Sequence, residues 1–409
     1  MIAEPDVVRE SALAGKVVLW EESARDGAQG KTLMSPEFRV WLAREQGAMF
    51  GEDGPRHVVF AAGFPAVCKE EFEAVRRVAV EAEGTVSPAA VCRGTAADVR
   101  QAIASVHGIA HARVMLVVPA SEAMAEVMTH RRAAEAVRAG AALVSDSLGA
   151  GVAVDVCLAD ASRADHGLLA DAARELTAAG AGVVFLADTV GDQLPAESGA
   201  MFAAARSEGV VLASHAHNDL GLGLANTLEA VSSGARVVSS SWLGVAERSG
   251  LVATEQVLFL LAYRADRTKV LLGEDADAWS TPPDLTRLPG LAQAVAEEIG
   301  VPLGVTTPVV GTGVGTISTG TPFVHPELFQ PFAPEQLGIT PSVVLTHLAS
   351  ARVVTAVAGR LGHELDATGA RMAMAWVKSR AYQQGHAVVD DQAFAHYLDG
   401  MRAGAGQQR

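Results

Sequence analysis

Eight short, Val-rich runs alternate with eight longer, Ala-rich amphipathic segments between residues 17 and 263. The runs predict strands at Val17–Glu21, His57–Ala61, Val86–Cys92, Arg113–Val118, Val152–Cys157, Val183–Asp188, Val210–His215 and Arg236–Ser241. The segments predict helices at Pro36–Met49, Lys69–Ala82, Ala96–Val106, Ser121–Ala139, Asp165–Ala179, Ala196–Ser207, Leu222–Ser233 and Ala253–Tyr263. Apolar strands that alternate with helices are typical of a parallel sheet covered on both faces. Eight such units in succession favour an α/β fold, a closed (β/α)8 TIM barrel.

The chain beyond the predicted barrel has a different character. A polar, Pro-rich connector covers residues 273–289, and Gly and Thr dominate residues 311–321. This second stretch lacks the third glycine of a dinucleotide fingerprint and the Lys of a phosphate loop, so we predict a lid rather than a nucleotide site. Further helices are predicted around Gly290–Ile299, Ser342–Gly362, Ala367–Gly385 and Asp390–Met401.

We therefore predict three parts. Residues 1–270 form a catalytic barrel, residues 271–330 a linker and lid-like subdomain, and residues 331–409 a small, mainly helical C-terminal subdomain. We expect the two smaller parts to be too interrupted to hold a large core of their own.

The charge balance excludes two classes of partner. The formal net charge is −15, whereas nucleic acid and anionic membrane surfaces are bound mainly through Lys and Arg. No stretch reaches the ~20 apolar residues of a membrane span, and the N-terminus lacks the basic and apolar regions of a signal peptide. We expect a cytoplasmic protein with no nucleic-acid or membrane partner.

Polar residues follow several of the predicted strands. They are Arg25 and Asp26 after the first strand, Arg93 after the third, Asp160 and Arg163 after the fifth, Asp188 and Thr189 after the sixth, and His215 and His217 at the seventh. In (β/α)8 barrels the chemistry lies at the C-terminal ends of the strands. We therefore expect these side chains to gather on one rim.

The His-Ala-His segment is the strongest candidate for a metal site. Side chains alternate along a strand, so His215 and His217 project to the same face. Asp26 would add a carboxylate, and this set suits Zn²⁺, Mn²⁺, Fe²⁺, Co²⁺ or Mg²⁺ with positions left open for a bidentate 2-oxo acid. For the His-x-His pattern alone, two hydrogen-bonded structural histidines are an equally good interpretation.

Two neighbouring charged residues have alternative roles. Arg25 is predicted to hold a substrate carboxylate or a developing alkoxide, although a simple ion pair with Asp26 or Asp188 would also explain it. Asp188 is predicted either to take part in the chemistry or to hydrogen bond a metal-bound histidine.

A series of motifs, in chain order, resembles one family. The motifs are Arg25–Gln29, Gly63–Ala66, Asp160–Arg163, Asp188–Gly191, His215–Gly221, Ala225–Asn226, Glu247–Gly250 and Ser350–Arg352. Together they resemble the 2-isopropylmalate, homocitrate and citramalate synthases, which are metal-dependent TIM-barrel enzymes. Leu251 stands where isopropylmalate synthases carry Asn, and this favours the homocitrate synthase-like branch.

The resemblance implies a Claisen-like condensation of acetyl-CoA with a metal-bound 2-oxo acid, followed by thioester hydrolysis. It implies that Asp26, His215 and His217 bind the divalent metal ion. By the same resemblance, Arg25 would stabilise the ketone oxygen, Thr189 would hold the oxo acid's carboxylate and Gln29 would line the site. Arg93 and Arg163 are candidates to bind the far end of the oxo acid. A homodimer is also implied.

Two further departures from the family pattern bear on the substrate and the base. Ala159 stands where a glutamate is often found, and Thr319–Pro322 replaces a segment that carries the histidine thought to help deprotonate acetyl-CoA. His325 or Glu327 would have to substitute, since a general base need only reach the methyl group in the closed complex. The altered pocket favours an unusual oxo acid such as phosphonopyruvate, as in a phosphonomethylmalate synthase-like member.

Two alternative functions remain. A hydroxymethylglutaryl-CoA lyase-like enzyme would cleave an acyl-CoA, but the region Ser241–Ala246 lacks the cysteine of those lyases. A catalytically silent homologue would bind 2-oxo acids without releasing thiol from acetyl-CoA. No regulatory domain is expected after residue 409, so leucine should not inhibit.

The substitute base can be tested by isotope exchange. Replacing His325 with Gln and Glu327 with Gln together should abolish exchange of the acetyl-CoA methyl protons with deuterated water, because neither side chain could then accept a proton. Exchange would be followed by NMR in the presence of metal. Exchange at an unchanged rate in the double variant would exclude both residues.

Overall fold

The computed structural model describes residues 5–273 and 277–406. Within these ranges eight parallel strands close into a barrel in chain order, and the last strand pairs with the first. The strands are β1 Val18–Glu21, β2 Val58–Gly63, β3 Ser87–Arg93, β4 Arg113–Pro119, β5 Ala153–Ala159, β6 Val184–Asp188, β7 Leu212–Ala216 and β8 Val237–Ser240. The predicted (β/α)8 barrel is confirmed.

Helices surround the barrel and precede it. They are α1 Val7–Leu13, α2 Asp26–Gln29, α3 Pro36–Ala48, α4 Gly54–His57, α5 Lys69–Glu81, α6 Ala96–Val106, α7 Glu122–Thr129, α8 Ala133–Asp146, α9 His166–Ala179, α10 Pro195–Ala205, α11 Gly223–Ser232, α12 Thr254–Tyr263 and α13 Ala265–Leu272. None of the described helices is both long and apolar enough to span a bilayer.

One predicted helix of the barrel is wrong, because the segment forms two helices. The predicted segment Ser121–Ala139 contains a break, because His130 adopts a left-handed conformation with φ 53° and ends α7. The next helix, α8, begins after Arg132, whose backbone N–H donates to the Glu135 carboxylate. The segment has no Gly or Pro between residues 121 and 139, so the sequence pattern contains no signal for this break.

Alternate strand residues fill the barrel interior. Large side chains lie beside small ones, and Trp20 packs edge-on against Phe185 with ring centroids 4.7 Å apart. The same cluster includes Ala61, Ala89 and Ala213, all fully buried. Packing of large against small residues leaves no open pore through the barrel.

A histidine ties the connector after α13 to the N-terminal ends of β1 and β2. His57 contacts the rings of Phe50 and Trp279, with centroids 5.1 and 5.5 Å away, and those two rings also contact each other. Its Nδ1 lies 3.0 Å from the Val17 carbonyl oxygen, and its Nε2 accepts a 3.0 Å hydrogen bond from the Ser280 N–H. Accepting at Nε2 requires the neutral ring, and burial lowers the pKa of His57.

The described chain forms two compact units. The first contains the barrel to Leu285 and residues 290–302, and the second contains residues 286–289 and the chain from Leu303 onward. Helix α14 is Leu288–Glu298. The second unit has β9 Thr316–Ile317, α15 Gly320–Val324, β10 Ser342–Val343, β11 Leu345–Thr346, α16 Ala351–Arg360, α17 Ala367–Gln383, β12 Val388–Val389 and α18 Asp391–Gly406. The division into three parts remains a prediction.

The second unit differs from expectation in two respects. It has a hydrophobic core of its own, built on side chains such as Val353, Val377 and Phe394, all fully buried. In addition, residues 342–346 form two short strands instead of helix. The helix starts only at Ala351, because the Ser350 side chain accepts from the Val353 N–H and caps it.

We expect His57 to make the folded state sensitive to acid. Its pKa is lowered in the folded state, so its contribution to stability is present above the unfolded pKa of about 6.5 and is lost as the pH falls below that value. His57→Gln should remove this part of the pH dependence, at a cost of about 1 kcal/mol near pH 8 for the altered hydrogen bonds.

The measurement is urea unfolding of both proteins from pH 8 to pH 5. Burial raises the pKa of Glu21 and of Glu255 to about 7, so these two groups change stability with the opposite sign over the same range. The difference between the two proteins is therefore the informative quantity. Parallel curves at all pH values would contradict the role of His57.

Candidate active site

The end of β1 turns directly into the short helix α2. The Glu22 carbonyl oxygen accepts backbone N–H groups of Arg25, Asp26 and Gly27 at 3.0, 2.7 and 3.3 Å. This turn buries the Asp26 side chain, which is 2% exposed. The sequence Arg-Asp-Gly therefore presents its carboxylate inside the rim and not to solvent.

Asp26 lies beside His215 on β7 and His217, which directly follows that strand. Asp26 Oδ2 lies 3.4 Å from His215 Nε2 and 3.9 Å from His217 Nε2. One ligand atom from each residue lies within 4.8 Å of the others, and all three residues are buried. Two imidazoles and one carboxylate are a suitable donor set for a divalent cation with open positions. The structure thus brings together the three residues predicted to bind metal.

The pKa values of Asp26 and His217 favour metal binding. Burial acts against the charge of Asp26, but the Arg25 guanidinium, His215 and His217 together outweigh it and hold the pKa of Asp26 well below its usual range. Burial and the neighbouring His215 lower the pKa of His217 to about 4. Ionised carboxylate and neutral imidazole are the forms that bind metal ions.

Arg25 is the cation of the cluster. Its Nε donates to Glu22 Oε2 at 2.7 Å, its Nη1 donates to Gln29 Oε1 at 2.9 Å, and its Nη2 lies 3.3 Å from Asp26 Oδ2. Burial disfavours its charge, but Glu22 and Asp26 outweigh this effect and raise its pKa. The ion pair with Asp26 that the sequence suggested is present, and the same guanidinium holds Gln29.

Glu22 is a residue that sequence reasoning missed. It is fully buried, and its Oε1 lies 3.8 Å from His215 Nδ1. The available signal was a pair of glutamates, Glu21 and Glu22, at the end of an apolar strand. Carboxylates are rarely fully buried unless they have a partner.

The end of β6 supplies Asp188 and Thr189. Asp188 accepts the backbone N–H groups of Gly191 and Gln193 at 3.1 and 3.2 Å, and burial raises its pKa. Thr189 Oγ1 accepts the Asp160 N–H at 2.8 Å and so joins the β5 and β6 loops. Asp188 therefore stabilises the turn that follows β6.

Arg93 and Arg163, the two candidates for binding the far end of the oxo acid, differ in their contacts and exposure. Arg163 donates to buried Asp160 at 2.7 Å, and both residues line a pocket of about 430 Å³ that Ser121 also lines. Arg93 pairs with Asp98 of α6 at 2.5 Å, and its side chain is 62% exposed. The contacts of Arg163 are with the β5 loop, whereas Arg93, at the end of β3, contacts the helix that follows its strand.

Arg248 links the three loops after β6, β7 and β8. It adopts a left-handed conformation with φ 55°. Its Nε and Nη2 donate to Asp219 at 3.0 and 3.1 Å, and Nη2 donates to the Thr189 carbonyl oxygen at 2.6 Å. The Glu247 N–H donates to Asp26 Oδ1 at 3.1 Å. The Glu-Arg motif therefore anchors the β8 loop to the metal-binding candidates.

The glycine of that motif is required by space. Gly250 has φ 91°, and a Cβ there would lie 1.9 Å from the Gly244 carbonyl oxygen. Its own carbonyl oxygen accepts the Asn218 N–H at 2.8 Å, next to His217. A side chain at this position would displace the loop that packs against the histidines.

The two proposed substitute bases lie in the second unit. His325 Nδ1 is 3.3 Å from Glu327 Oε1, and the side chains are 56% and 65% exposed. They form one pair on the segment after α15, and their catalytic role remains a prediction.

The fold and this cluster define a TIM-barrel protein with a candidate metal centre at the C-terminal ends of its strands. A family model described as HMGL-like matches residues 23–295. The chain therefore belongs to the HMGL-like family, and it also matches curated relatives.

Those relatives include proteins named 2-isopropylmalate synthase. The one from Solidesulfovibrio magneticus is 30% identical over 302 residues, 72% of this chain and 56% of the relative. The one from a Caulobacter species is 27% identical over 407 residues, 96% of this chain and 74% of the relative. For the Syntrophus aciditrophicus protein, 30% identical, the matched part is 48% of the relative. The chain thus spans about half the length of several relatives.

Solved structures support the fold alone. A hydroxymethylglutaryl-CoA lyase from Bacillus subtilis superposes with a TM-score of 0.56 at 20% identity, over 71% of this chain and 95% of that one. The corresponding lyase from Pseudomonas aeruginosa gives 0.56 at 22% identity, over 70% and 94%.

The Arg248 contacts predict a specific sensitivity to substitution. Arg248→Lys keeps the charge but cannot reach two acceptors on Asp219 and the Thr189 carbonyl at once. We expect it to lower the free energy of unfolding by about 1–2 kcal/mol, because hydrogen bonds to a charged group are lost. The measurement is urea unfolding.

The matched control is Arg132→Lys, which alters the ion pair with Glu122. The Arg132 side chain is 76% exposed, so this change should leave the free energy of unfolding almost unchanged. Equal unfolding midpoints for the two variants would contradict the linking role of Arg248.

Proposed function

We propose that this chain is an acyltransferase that condenses acetyl-CoA with a 2-oxo acid and then hydrolyses the thioester to release CoA. The observation that carries the proposal is the buried cluster of Asp26, His215 and His217 beside Arg25, in a barrel of the HMGL-like family. The acetyl-CoA methyl carbon would form the new bond to the ketone carbon of the oxo acid.

Asp26, His215 and His217 would hold the divalent metal ion, whether Mn²⁺, Mg²⁺, Zn²⁺ or Co²⁺. When bound, it would act as a Lewis acid toward the oxo acid's ketone. Arg25 would stabilise negative charge that develops on the ketone oxygen. A guanidinium has five N–H groups, and contacts to Glu22, Gln29 and Asp26 leave two for the substrate.

The remaining roles are assigned by position. Thr189 would hold the oxo acid's carboxylate, and Gln29 would line the same side of the site because Arg25 holds it there. His325 or Glu327 would accept the methyl proton. Asp188 would fix the β6 turn that carries Thr189, a role that its two backbone hydrogen bonds support.

The far end of the oxo acid would be anionic. Arg163 lines the pocket beside Asp160, and Asp160 is hydrogen bonded to Thr189. A guanidinium there suits the second carboxylate of 2-oxoglutarate or the phosphonate of phosphonopyruvate. Arg93, held by Asp98, is the weaker candidate. Leu251, which stands where isopropylmalate synthases carry Asn, supports the homocitrate synthase-like branch, and its backbone is bridged to that of His217. A homodimer and a cytoplasmic location remain predictions.

The test is thiol release from acetyl-CoA, with added metal, against 2-oxoglutarate, phosphonopyruvate, 2-oxoisovalerate, pyruvate and oxaloacetate. We expect turnover with one of the first two, loss of turnover with a chelator, and its return when metal is restored. Asp26→Asn is the control, and it should lose turnover by at least about 100-fold because a metal ligand is weakened.

Other outcomes would favour the alternatives. Cleavage of 3-hydroxy-3-methylglutaryl-CoA without any condensation would favour a lyase. Binding of oxo acids with no thiol release from any of them would favour a catalytically silent homologue.

A further inference from the structure

One buried carboxylate near the histidines has an oxygen without a partner. Glu22 is fully buried, and its Oε2 accepts the Arg25 Nε–H at 2.7 Å. Its Oε1 is buried without a hydrogen-bond partner among the described residues. An unpaired buried acceptor costs about 1–3 kcal/mol, so this oxygen needs an explanation.

The atom that faces this oxygen is also unpaired. His215 Nδ1 lies 3.8 Å from Glu22 Oε1 and is buried without a partner in the described chain. This distance exceeds a hydrogen bond but is too short for a bridging water, which would need about 4.5 Å between the two atoms it joins. The two atoms can satisfy one another directly after a shift of less than about 1 Å.

The opposite nitrogen of the same ring explains why this contact matters. His215 Nε2 faces Asp26 at 3.4 Å. When Nε2 is a metal ligand, the ring proton resides on Nδ1, which then acts only as a donor. Metal-bound histidines usually donate this second N–H to a carboxylate or carbonyl that fixes the ring. Glu22 stands at that position here.

We propose that Glu22 is a positioning residue that orients His215 through Oε1 and Arg25 through Oε2. One carboxylate thereby couples the metal ligand to the group that stabilises the ketone oxygen. This inference rests on the proposed function, because it assumes a metal ion at Asp26, His215 and His217.

The proposal requires two acceptor atoms on one side chain. A carboxylate offers both, but a glutamine offers one oxygen and one NH₂ group. In Glu22→Gln, the amide NH₂ must face either the Arg25 Nε–H or the His215 Nδ1–H, and either arrangement opposes two donors. The isosteric variant therefore loses one of the two contacts without leaving a cavity.

The test is direct titration with Co²⁺, which reports binding and coordination by its visible absorption. We expect Glu22→Gln and Glu22→Ala to weaken Co²⁺ binding about 10–100-fold and to change the absorption spectrum. At saturating Co²⁺, Glu22→Ala, which removes both acceptor atoms, should keep the KM for the oxo acid but still show a lowered kcat, because Arg25 is no longer held.

The matched control is Glu255→Gln. Glu255 is also a fully buried glutamate, but its carboxylate accepts the Leu243 N–H at 3.0 Å. Its substitution should leave Co²⁺ affinity within twofold of the unmodified protein. If Glu22→Ala fails to fold, the Co²⁺ affinity of Glu22→Gln tests the proposal, because this variant preserves the volume of the side chain.

The outcomes separate this inference from the proposed function. Unmodified protein that binds Co²⁺, together with a Glu22→Gln variant of equal affinity and spectrum, would overturn the role of Glu22 alone. Unmodified protein that binds no Co²⁺ would overturn the metal centre and the role of Glu22 together. Weaker binding in Glu22→Gln but not in Glu255→Gln would support the inference.

Discussion

The ion pair between Arg25 and Asp26 is the interaction on which the candidate site depends. A carboxylate buried alone would take up a proton, because burial disfavours its charge. The adjacent guanidinium, with help from the two imidazoles, opposes this and keeps Asp26 ionised. Since Glu22 adds a second buried carboxylate, acidic groups outnumber the guanidinium. This excess favours a divalent cation at the histidines.

The loops around this cluster hold each other through their polar groups. Arg248 joins the β6, β7 and β8 loops, and the Glu247 N–H contacts Asp26 itself. Thr189 extends the connection to the β5 loop through the Asp160 N–H. Motifs that are far apart in the sequence therefore form one structure, in which moving one loop alters the hydrogen bonds of the next.

The sequence predicted what depends on local periodicity. The eight strands and the shared face of His215 and His217 follow from alternation along a strand and from the order of βα units. It did not predict the break at His130, because an Ala-rich helix pattern continues across a left-handed residue without Gly or Pro. Glu22 was missed for a different reason. Arg25 is only three residues away, but the contact with His215 on β7 depends on the closure of the barrel.

The charge of the cluster also constrains the order of events in the proposed reaction. A 2-oxo acid with an anionic far end carries at least two negative charges, and it would enter a site where the carboxylates of Glu22 and Asp26 already outnumber the guanidinium of Arg25. Without a cation, that approach is electrostatically unfavourable in a buried, low-dielectric setting. With the cation held by Asp26, His215 and His217, the same carboxylates stabilise the metal ion and no longer oppose the substrate. Metal binding before oxo acid binding is therefore the sequence that the charges favour.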